Sequence, residues 1–424
     1  MINVIGLGYI GLPTALMLAA SGNEVIGTEI DEERVKVLQE GVVPFEEKGM
    51  PELMAEAISN NVTFSTEYHA SDMYIITVPT PYDQYSKKID PSYIQNAVRT
   101  VIDVALDDAT IVVESTVSPG TIDKHVRPII ENGQEYKGKT FNLVHAPERI
   151  LPGNMVHELR HNSRTIGTDN EEAGQKVKEL YETFCEADIV ITDIRTAEMS
   201  KVVENTYRDI NIAFANELAK IAHFDNLDVN EIIRIANKHP RVNILNPGPG
   251  VGGHCISVDP WFLVGDYPEL TDLIKTARDI NDSMPSFVLK RIREVMDETG
   301  INDISKVGLY GLTYKANVDD TRESPTLQLL ELQRQSLAEP LKVYDPEVSR
   351  YDITKNQYEN FEEFLDDTEI IVLMVGHNHI KENKEMLEGK VVIDAQNIVK
   401  SRTDKIYKMF GEEARIVEEL VPVK

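Results

Sequence analysis

A strand-like segment that runs directly into a glycine motif constrains the fold of this chain more than any other feature. Residues 2–6 read INVIG, the motif GLGYIG spans Gly6–Gly11, and an apolar helix-like run continues to Ala20. A second strand-like segment follows at Glu24–Glu29. In this strand–turn–helix frame the glycines make a tight turn, let a pyrophosphate approach the backbone, and allow close packing of the helix on the sheet. The frame predicts a Rossmann-like dinucleotide-binding unit whose cofactor contacts include Gly6, Gly8, Tyr9, Ile10 and Gly11.

Glu29 ends the second predicted strand, where an acid binds the adenosine ribose in such units. A carboxylate at this point disfavours a 2′-phosphate, so we predict NAD rather than NADP as the cofactor. Asp31 competes for this role, although it is also a good N-cap for the helix that begins DEERVKVL. Arg34 lies one turn further along that helix and either covers the adenine or faces solvent.

The length and charge of the chain limit its architecture and its partners. Its 424 residues are too many for one ordinary core, so we expect two or three domains. The net charge is −28, from 43 basic and 71 acidic residues. Such a surface repels nucleic acid and anionic membrane, and we expect neither as a partner. Any phosphate site must therefore be built locally, from helix N-termini and a few basic side chains.

The two cysteines, Cys185 and Cys255, provide neither a disulfide framework nor the spacing of metal ligands, so we expect no metal site. No apolar run approaches the length of a membrane span, and Met1 leads directly into a strand-like segment. We therefore expect a cytoplasmic protein. Cys185 is expected to pack in the core, within a helix that ends ELYETFCEAD.

Strand-like and helix-like segments alternate in both halves of the chain, which predicts parallel, doubly wound sheets. Further strands of the first half are predicted at Asp72–Val78, Thr110–Glu114 and Phe141–Val144, and helices at about 92–106 and 121–131. Strands of the second half are predicted at Val307–Leu312, Leu341–Asp345, Glu369–Val375 and Val391–Ala395.

Between these halves, the stretch from Arg195 to about Phe224 contains no Gly or Pro, which predicts a single helix long enough to link two domains. More helix is predicted at Val229–Lys238 and at about 270–299. The predicted fold is α/β, with two Rossmann-like parallel-sheet domains joined by a central helical segment with a long connecting helix. The predicted domain bounds are 1–194, 195–299 and 300–424. Because helices this long usually pack against a twin, we also expect a homodimer.

The segment Gly248–Trp261 reads GPGVGGHCISVDPW and places Cys255 after a run of glycines. Glycines tolerate positive φ and permit close approach of a ligand. A thiol that such a loop exposes beside a cation ionises readily and acts as a nucleophile. The alternative is a buried thiol that serves only as a small hydrophobic side chain.

Several motifs together resemble the nucleotide-sugar 6-dehydrogenase family, which includes UDP-glucose, GDP-mannose and UDP-N-acetylhexosamine dehydrogenases. They are GVGGHC followed by VDPWFL, HPRVNILNPGPG at His239–Gly250, AExxKxxxN on the long helix, and LTYKANVDDTRESP after the first strand of the second half. The resemblance runs from GLGYIGLP to RESP, through nearly the whole chain. It implies an NAD-dependent, four-electron oxidation of the C6 hydroxyl of a UDP-sugar through a thiohemiacetal and a thioester.

The resemblance also implies catalytic roles. Cys255 is the nucleophile, and Lys201 and Asn205 stabilise the developing alkoxide. Asp259, with an ordered water, accepts the proton of the first oxidation, and Glu148 acts on the water that splits the thioester.

Thr116 is implied to help hold that water. The cofactor contacts that the resemblance adds are Thr80, Thr116 and Arg322. The substrate contacts that it implies are Glu148, Arg149, Ile150, Leu151, Lys201, Asn205, Arg208, Arg241, Gly252, His254 and Lys315.

Individual positions refine this assignment. Arg208 is typical of the N-acetylhexosamine type, and Ser257 and Val258 replace the Pro-Lys of the glucose type. Arg241 is implied to reach the sugar from a neighbouring subunit. His254 either contacts the sugar, which we favour, or acts as a second base. UDP-N-acetylhexosamine is the favoured substrate, and the configuration at its C2 stays open, as does UDP-glucose as an alternative.

Two other classes compete with this prediction. A catalytically silent nucleotide-sugar sensor on the same scaffold would have no need of Cys255, Lys201 and Asp259. A two-electron hydroxyacid dehydrogenase would leave the second nucleotide-type domain unexplained.

Overall fold

The computed structural model describes residues 1–253, 255–335, 341–348, 353–399 and 406–409. The chain divides into two compact units. The first unit comprises Met1–Glu204 and Trp261–Leu270, and the second comprises Asn205–Pro260 and Thr271–Lys424. The three predicted domains, 1–194, 195–299 and 300–424, stay a prediction, because the two compact units do not test a division into three.

The first unit contains an eight-stranded sheet in the order β3-β2-β1-β4-β5-β6-β7-β8. Its strands are β1 (Ile2–Ile5), β2 (Val25–Thr28), β3 (Thr63–Ser65), β4 (Met73–Ile76), β5 (Ala109–Val113), β6 (Phe141–His145), β7 (Arg164–Thr168) and β8 (Ile189–Thr192). The first six strands have the order of a dinucleotide-binding Rossmann sheet. Both faces are covered, since Ile2 and Val4 enter one hydrophobic core and Ile5 enters the other.

One strand pair departs from the predicted parallel sheet. Strands β6 and β7 are antiparallel, with Val144 opposite Thr168 and His145 opposite Gly167. An antiparallel neighbour needs no crossover, because its chain re-enters the sheet at the edge where the previous strand ended. The first residue of β7, Arg164, therefore lies at the edge where β6 ends.

The helices of the first unit begin with the predicted one after the glycine motif. They are α1 (Gly11–Ala20), α2 (Glu32–Gln39), α3 (Met50–Ser59), α4 (Ser92–Val104), α5 (Arg127–Lys137), α6 (Met155–His161) and α7 (Glu171–Tyr181). A π-helical turn at Ile122–Val126 precedes α5. Cys185 is buried in the core, as predicted, but it follows α7 rather than lying within a helix. After α7 the chain forms a turn, in which the amide of Phe184 donates a hydrogen bond of 3.1 Å to the carbonyl of Tyr181.

The predicted long helix is α8 (Ile194–Phe224), which has 31 residues. Asp193 starts it by accepting a hydrogen bond of 2.9 Å from the amide of Thr196. The helix begins in the first unit and continues into the second, and its small residues Ala215 and Ala219 enter the core of the second unit.

The remaining helices are α9 (Val229–Ala236), α10 (Asp259–Asp266), α11 (Asp272–Asp282), α12 (Met284–Thr299), α13 (Pro325–Gln335), α14 (Phe361–Asp366) and α15 (Asn378–Glu382). Short 3₁₀ turns occur at Ile304–Lys306 and Lys384–Leu387. The helical stretch predicted at about 270–299 is present, but it is divided at Ser283 into α11 and α12. Pro285 lacks an amide hydrogen and its ring would clash with the preceding turn, so a new helix starts there.

The second unit contains a six-stranded sheet in the order β11-β10-β9-β12-β13-β14. Its strands are β9 (Val307–Tyr310), β10 (Lys342–Tyr344), β11 (Gln357–Tyr358), β12 (Ile370–Leu373), β13 (Val391–Asp394) and β14 (Ile406–Lys408), and all their pairings are parallel. This order repeats that of the first six strands of the other sheet. The predicted fold class, with two Rossmann-like sheets and a long connecting helix, is confirmed.

Candidate active site

The glycine loop after β1 has the geometry of a phosphate-binding turn. Gly6 has a φ of 89°, and a Cβ on Gly11 would lie 1.9 Å from the carbonyl oxygen of Gly6 and 2.2 Å from Thr77 Oγ1. By contrast, a Cβ on Gly8 would meet nothing within 4 Å, so the backbone at Gly8 is open to a ligand. The first turn of α1 carries no acidic side chain that would offset its positive end. These residues fit the pyrophosphate of a dinucleotide.

The carboxylate of Glu29 is fixed at the end of β2 by the backbone. It accepts hydrogen bonds from the amides of Leu7 at 2.9 Å and Ile30 at 2.8 Å. Arg34 Nη1 lies 4.0 Å from it, so this arginine faces Glu29. Asp31 instead caps α2, because its side chain accepts hydrogen bonds from the amides of Glu33 and Arg34 in the first turn of that helix. Glu29 therefore occupies the position of the ribose-binding acid, as predicted for a dinucleotide site.

Three predicted residues follow three neighbouring strands of the first sheet. Thr80 follows β4 and is buried, Thr116 follows β5 and is half-buried, and Glu148 follows β6 and is buried. Because β4, β5 and β6 are parallel, their carboxyl ends share one edge of the sheet. The structure thus brings these three residues to the edge where ligands bind in open α/β sheets.

Sequence reasoning missed the partners of Glu148. Its carboxylate forms an ion pair with Arg164, whose Nη1 also lies 3.3 Å from Glu114 Oε1. The hydroxyl of Tyr181 donates a hydrogen bond of 2.9 Å to the same Glu114 oxygen. Burial raises the pKa of Glu114 to about 7, although Arg164 opposes this shift. The signal that could have found this group is the charged residue at the start of β7, but only with knowledge that β7 is antiparallel.

The neighbouring residues of the HAPERILPG segment are engaged within the protein. The guanidinium of Arg149 pairs with Glu204 at 2.7 Å and donates to the carbonyl of Ser163 at 2.6 Å. The amide of Leu151 donates to Glu158 at 2.8 Å, and Ile150 is buried. A substrate contact at these predicted positions would therefore come from the main chain rather than from the Arg149 guanidinium.

The start of α8 supports the loop that carries Thr116. The carboxylate of Glu198 accepts hydrogen bonds from the amides of Gly120 at 2.5 Å and Ile122 at 2.8 Å. Burial raises the pKa of Glu198 to about 7. Lys201 follows one turn later on the same helix and is only 6% exposed.

In the second unit, Asn205 and Asp259 are in direct contact. The side-chain amide of Asn205 donates a hydrogen bond of 2.7 Å to Asp259 Oδ2, and both side chains are buried. The amide of Asp259 donates a hydrogen bond of 2.8 Å to the carbonyl of Cys255, which is half-buried. The residues that carry the thiol and the carboxylate are therefore one helical turn apart.

The glycines before Cys255 lie against the segment that follows β9. The amide of Gly253 donates a hydrogen bond of 2.9 Å to the carbonyl of Arg322. A Cβ on Gly252 would lie 2.6 Å from the Glu323 carbonyl oxygen and 2.6 Å from Tyr314 Cβ. Gly252 is thus required for close packing of the loop.

The basic residues of that segment and of the central helices lie at the surface of the second unit. Lys315, Arg322, Arg208 and Arg241 are exposed. Arg322 also pairs with Asp320 at 2.6 Å. His254, a predicted substrate contact, lies outside the described residues.

The loop that carries Arg241 is fixed by asparagines. Asn211 accepts a hydrogen bond from the amide of Leu245 at 2.9 Å, and Asn216 accepts one from the amide of Gly248 at 2.9 Å. Both asparagines belong to α8, so the long helix orients the approach to the cysteine loop.

Asp345 has in the second sheet the position that Glu29 has in the first. It directly follows β10 and accepts hydrogen bonds from the amides of Leu312 at 2.5 Å and Thr313 at 3.2 Å. The buried ring of His377 lies 3.3 Å from the same carboxylate. Across the described residues, no three His, Cys, Asp or Glu side chains converge as a metal site would require.

Comparison with known proteins identifies the class to which this fold and these residues belong. Residues 1–185 match the NAD binding domain of the UDP-glucose/GDP-mannose dehydrogenase family, residues 195–283 its central domain, and residues 308–401 its UDP binding domain. The chain belongs to this family and is a nucleotide-sugar dehydrogenase. The prediction of NAD as cofactor is confirmed.

Within the family, the chain is similar to enzymes that act on an N-acetylated sugar. It is 44% identical to the UDP-N-acetyl-D-mannosamine dehydrogenase of Methanococcus aeolicus, over 93% of this chain and 90% of that protein. It is 38% identical to the NDP-N-acetyl-D-galactosaminuronic acid dehydrogenase of Ralstonia nicotianae, over 94% and 96% of the two chains. The structure of the UDP-N-acetyl-mannosamine dehydrogenase of Staphylococcus aureus matches with a TM-score of 0.85 at 40% identity, over 96% of this chain and 98% of that one.

Proposed function

We propose that this chain is an NAD-dependent UDP-N-acetyl-D-mannosamine 6-dehydrogenase. Its product is the corresponding uronate, a building block of surface polysaccharides or protein glycans. The names of the relatives at 44% identity support this choice of sugar. The structural observation that carries the proposal is the turn from Cys255 to Asp259, which joins a thiol to a carboxylate that Asn205 holds.

The proposed reaction removes four electrons from C6 in two oxidations. The Gly6–Gly11 loop and Glu29 would hold NAD, which would supply a hydride acceptor for each oxidation. Asp259 accepts the proton of the C6 hydroxyl through an ordered water in the first oxidation. The Cys255 thiolate then adds to the aldehyde carbon, and loss of hydride from this thiohemiacetal leaves a thioester. Water splits the thioester, which releases the uronate and restores the thiol.

Asn205 and Lys201 supply the electrostatics of the first stage. The hydrogen bond of 2.7 Å from Asn205 stabilises the charged form of Asp259 and so keeps it ready to accept a proton. Lys201 is buried, where water screens its charge little, and it stabilises the alkoxide that develops at C6. A cation in this role also favours the thiolate over the thiol of Cys255.

Glu148 and Thr116 act in the last stage. The two residues follow adjacent parallel strands at the ligand-binding edge of the first sheet. Glu148 accepts a proton from the water that attacks the thioester carbonyl, and Thr116 holds that water. Thr80 and Arg322 complete the proposed cofactor contacts.

We propose that the substrate is held by the remaining residues that match the family pattern. Arg208 and Lys315 provide exposed positive charge, which an anionic UDP-sugar needs on a protein of net charge −28. Gly252 and the main chain of Arg149, Ile150 and Leu151 provide backbone donors and acceptors. His254 is retained as a sugar contact.

We propose that the enzyme is a homodimer whose subunits pair through α8. Tyr207, Phe214 and Ile221 of this helix are 61%, 50% and 54% exposed and recur every seven residues, with Phe224 at 86% just beyond. A seven-residue repeat of apolar side chains is the pattern of two packed helices, and an exposed apolar stripe marks an interaction surface. A second copy of α8 is the occupant that we propose, and Arg241 then contributes to the site of the partner.

The test of the reaction is a panel of UDP-sugars with NADH and uronate measured together. We expect UDP-N-acetyl-D-mannosamine to yield two NADH per sugar with little free aldehyde. Cys255→Ser should retain some first oxidation but release aldehyde, because a serine hydroxyl stays protonated without an activating base. Cys185→Ser is the matched control and should behave as wild type. Full uronate production by Cys255→Ser would exclude the thioester route.

The test of the shared site is complementation. Neither Arg241→Ala nor Cys255→Ser alone should support production of the uronate. Co-expressed as a verified heterodimer, they should regain part of the activity, because one of the two sites then has both intact residues. A heterodimer without activity would exclude sharing of Arg241.

A second candidate substrate is a UDP-N-acetylhexosamine of other configuration. The similarity to an enzyme of N-acetyl-D-galactosaminuronic acid favours testing the galacto sugar, and the gluco sugar and UDP-glucose complete the panel. Highest kcat/KM with any of these would replace the manno sugar without changing the chemistry. Among the described residues no helix combines the length and hydropathy needed to cross a bilayer. The cytoplasmic location expected from the sequence stays a prediction.

A further inference from the structure

A buried group of one cation and two carboxylates lies beside the proposed hydrolytic residue. Arg164 pairs with both Glu114 and Glu148, and the three side chains are 5%, 0% and 3% exposed. One positive charge therefore serves two acids in a place where water screens little. A third charge partner is required, or one of the acids holds a proton.

The antiparallel strand pair explains why Arg164 faces Glu148. In the ladder of β6 and β7, His145 lies opposite Gly167. In an antiparallel pair, three residues further along the chain from His145 lie opposite three residues back from Gly167. Glu148 is therefore opposite Arg164. The guanidinium is also stacked, with its central carbon 4.4 Å from the ring centre of Tyr181 and 5.1 Å from that of Phe184. Its orientation is therefore fixed from two sides.

The surroundings of the two carboxylates differ. Glu114 accepts hydrogen bonds from Tyr181 at 2.9 Å and from the hydroxyl of Thr14 on α1 at 3.3 Å. Glu148 accepts one from the backbone amide of Arg149 at 2.6 Å. The guanidinium of Arg149 is directed instead to Glu204.

The other ionisable group that faces this cluster is the thiol of Cys185, which follows α7 and interacts with Arg164. The pKa of Glu114 is raised to about 7 by its burial, which Arg164 opposes and the negative charge of Glu148 reinforces. Among the described residues, the ionisable groups with interactions in this cluster include Glu114, Glu148, Arg164, Tyr181 and Cys185, while the guanidinium of Arg149 lies with Glu204.

We propose that Arg164 is a positioning residue that holds Glu148 as a carboxylate for thioester hydrolysis, while Glu114 takes up the proton that the group acquires. This inference rests on the proposed function, because it assigns a purpose to Glu148 in that reaction. Without Arg164, Glu148 would be a buried carboxylate beside a second acid, with no positive charge to offset its burial. With Arg164, the proton resides on Glu114, and Glu148 stays a base.

The kinetic test follows the lifetime of the acyl adduct on Cys255 after rapid mixing with UDP-N-acetyl-D-mannosamine and NAD, across a range of pH. Arg164→Met should shift the acidic limb of the hydrolysis rate upward by one pH unit or more, which is at least a tenfold slower decay at a fixed pH below the limb. Arg164→Lys, which keeps the charge, should recover most of that loss. Arg99→Met, at an exposed arginine of α4, is the matched control.

The second test needs no turnover and remains valid if Arg164→Met does not fold. Infrared difference spectra of the whole protein should gain a protonated-carboxyl band as the pH falls through about 7. The pKa of Glu198 is also raised to about 7, so the comparison is made in a Glu198→Gln background, where adding Glu114→Gln should remove the band. A band that persists when Glu114→Gln is combined with Glu198→Gln, or an acidic limb that stays in place in Arg164→Met, would overturn the inference. Absence of any acyl adduct in wild type would instead overturn the proposed function, and the infrared result would still decide which acid holds the proton.

Discussion

Asn205 donates its side-chain amide to Asp259 Oδ2 at 2.7 Å, although 54 residues separate the two along the chain. The donor belongs to the long helix α8, and the acceptor is the first residue of α10, directly after the cysteine loop. A hydrogen bond to a charged group contributes about 1.5–3 kcal/mol when it is buried. This contact therefore ties the proposed base to the long helix α8.

The first prediction is that Asn205→Ala lowers kcat by about 10- to 100-fold, because the buried carboxylate loses a partner worth about 1.5–3 kcal/mol. KM for the sugar should change much less. NADH production at saturating substrate measures the effect. The control is Asn142→Ala, which removes an exposed amide–carboxylate contact of 3.0 Å to Asp108. Equal kcat in Asn205→Ala and wild type would contradict the role of the pair.

The second prediction concerns the choice of cofactor. Wild type should prefer NAD, because a 2′-phosphate would approach the Glu29 carboxylate. Glu29→Gln keeps the shape but removes the charge, so KM for NADP should fall relative to KM for NAD. Steady-state kinetics with both cofactors measure this ratio. Glu33→Gln, at an exposed acid of α2, should leave the ratio unchanged, and equal use of both cofactors by wild type would show that Glu29 does not select.

The third prediction concerns the contact between Lys87 and Trp261 within the first unit. The ammonium lies 4.2 Å from the centre of the indole ring, and a cation over a ring contributes about 0.5–2 kcal/mol. Lys87→Met should lower the free energy of unfolding of the first unit by about 1 kcal/mol. Urea denaturation followed by Trp261 fluorescence reports it, since the chain has one tryptophan. Lys88→Met, at the exposed next residue, is the control, and equal losses in the two variants would exclude the cation–ring contact.

The fourth prediction concerns acid stability. Burial lowers the pKa of His145 from 6.5 to about 4, so the unfolded chain binds this proton first as the pH falls. The contribution of His145 is therefore complete above pH 6.5 and is lost between about 6.5 and 4, by roughly 3 kcal/mol in all. His145→Asn should lack this part of the pH dependence.

Histidine NMR titration provides the direct measurement. His145 should stay neutral at pH 5, with Nδ1 donating to the carbonyl of Val113 at 2.9 Å. His161, whose side chain is 44% exposed, is the internal control. A His145 midpoint above 6 would contradict the prediction.

The predictable parts of the fold are those that a local pattern encodes. The strand, glycine turn and helix at residues 2–20 were predictable because Gly6 and Gly11 each meet a local steric need. The helix Ile194–Phe224 was predictable because no residue in its interior breaks the backbone pattern. The break at Ser283 is also local, and the proline at position 285 was the available signal.

The partners of Glu148 could not be predicted in this way. Glu114, Arg164 and Tyr181 are brought together by the direction of one strand, and strand direction depends on packing across the whole sheet. A run of residues such as RTIGT has the same pattern in a parallel and an antiparallel strand. Sequence reasoning therefore identified the proposed base but not the groups that set its charge.

The repeated strand order has a historical consequence. In both sheets an acid directly follows the second strand and accepts a hydrogen bond from a backbone amide of the loop after the first strand. Glu29 accepts this bond from Leu7, and Asp345 accepts it from Leu312. Duplication of one ancestral nucleotide-binding gene segment would leave this shared arrangement. In the second copy the acid is also contacted by the buried His377, and a Cβ on Gly311 would lie 2.5 Å from Val375 Cβ. The acid of the second sheet is therefore enclosed by the protein and serves as an internal brace between the ends of β9 and β10.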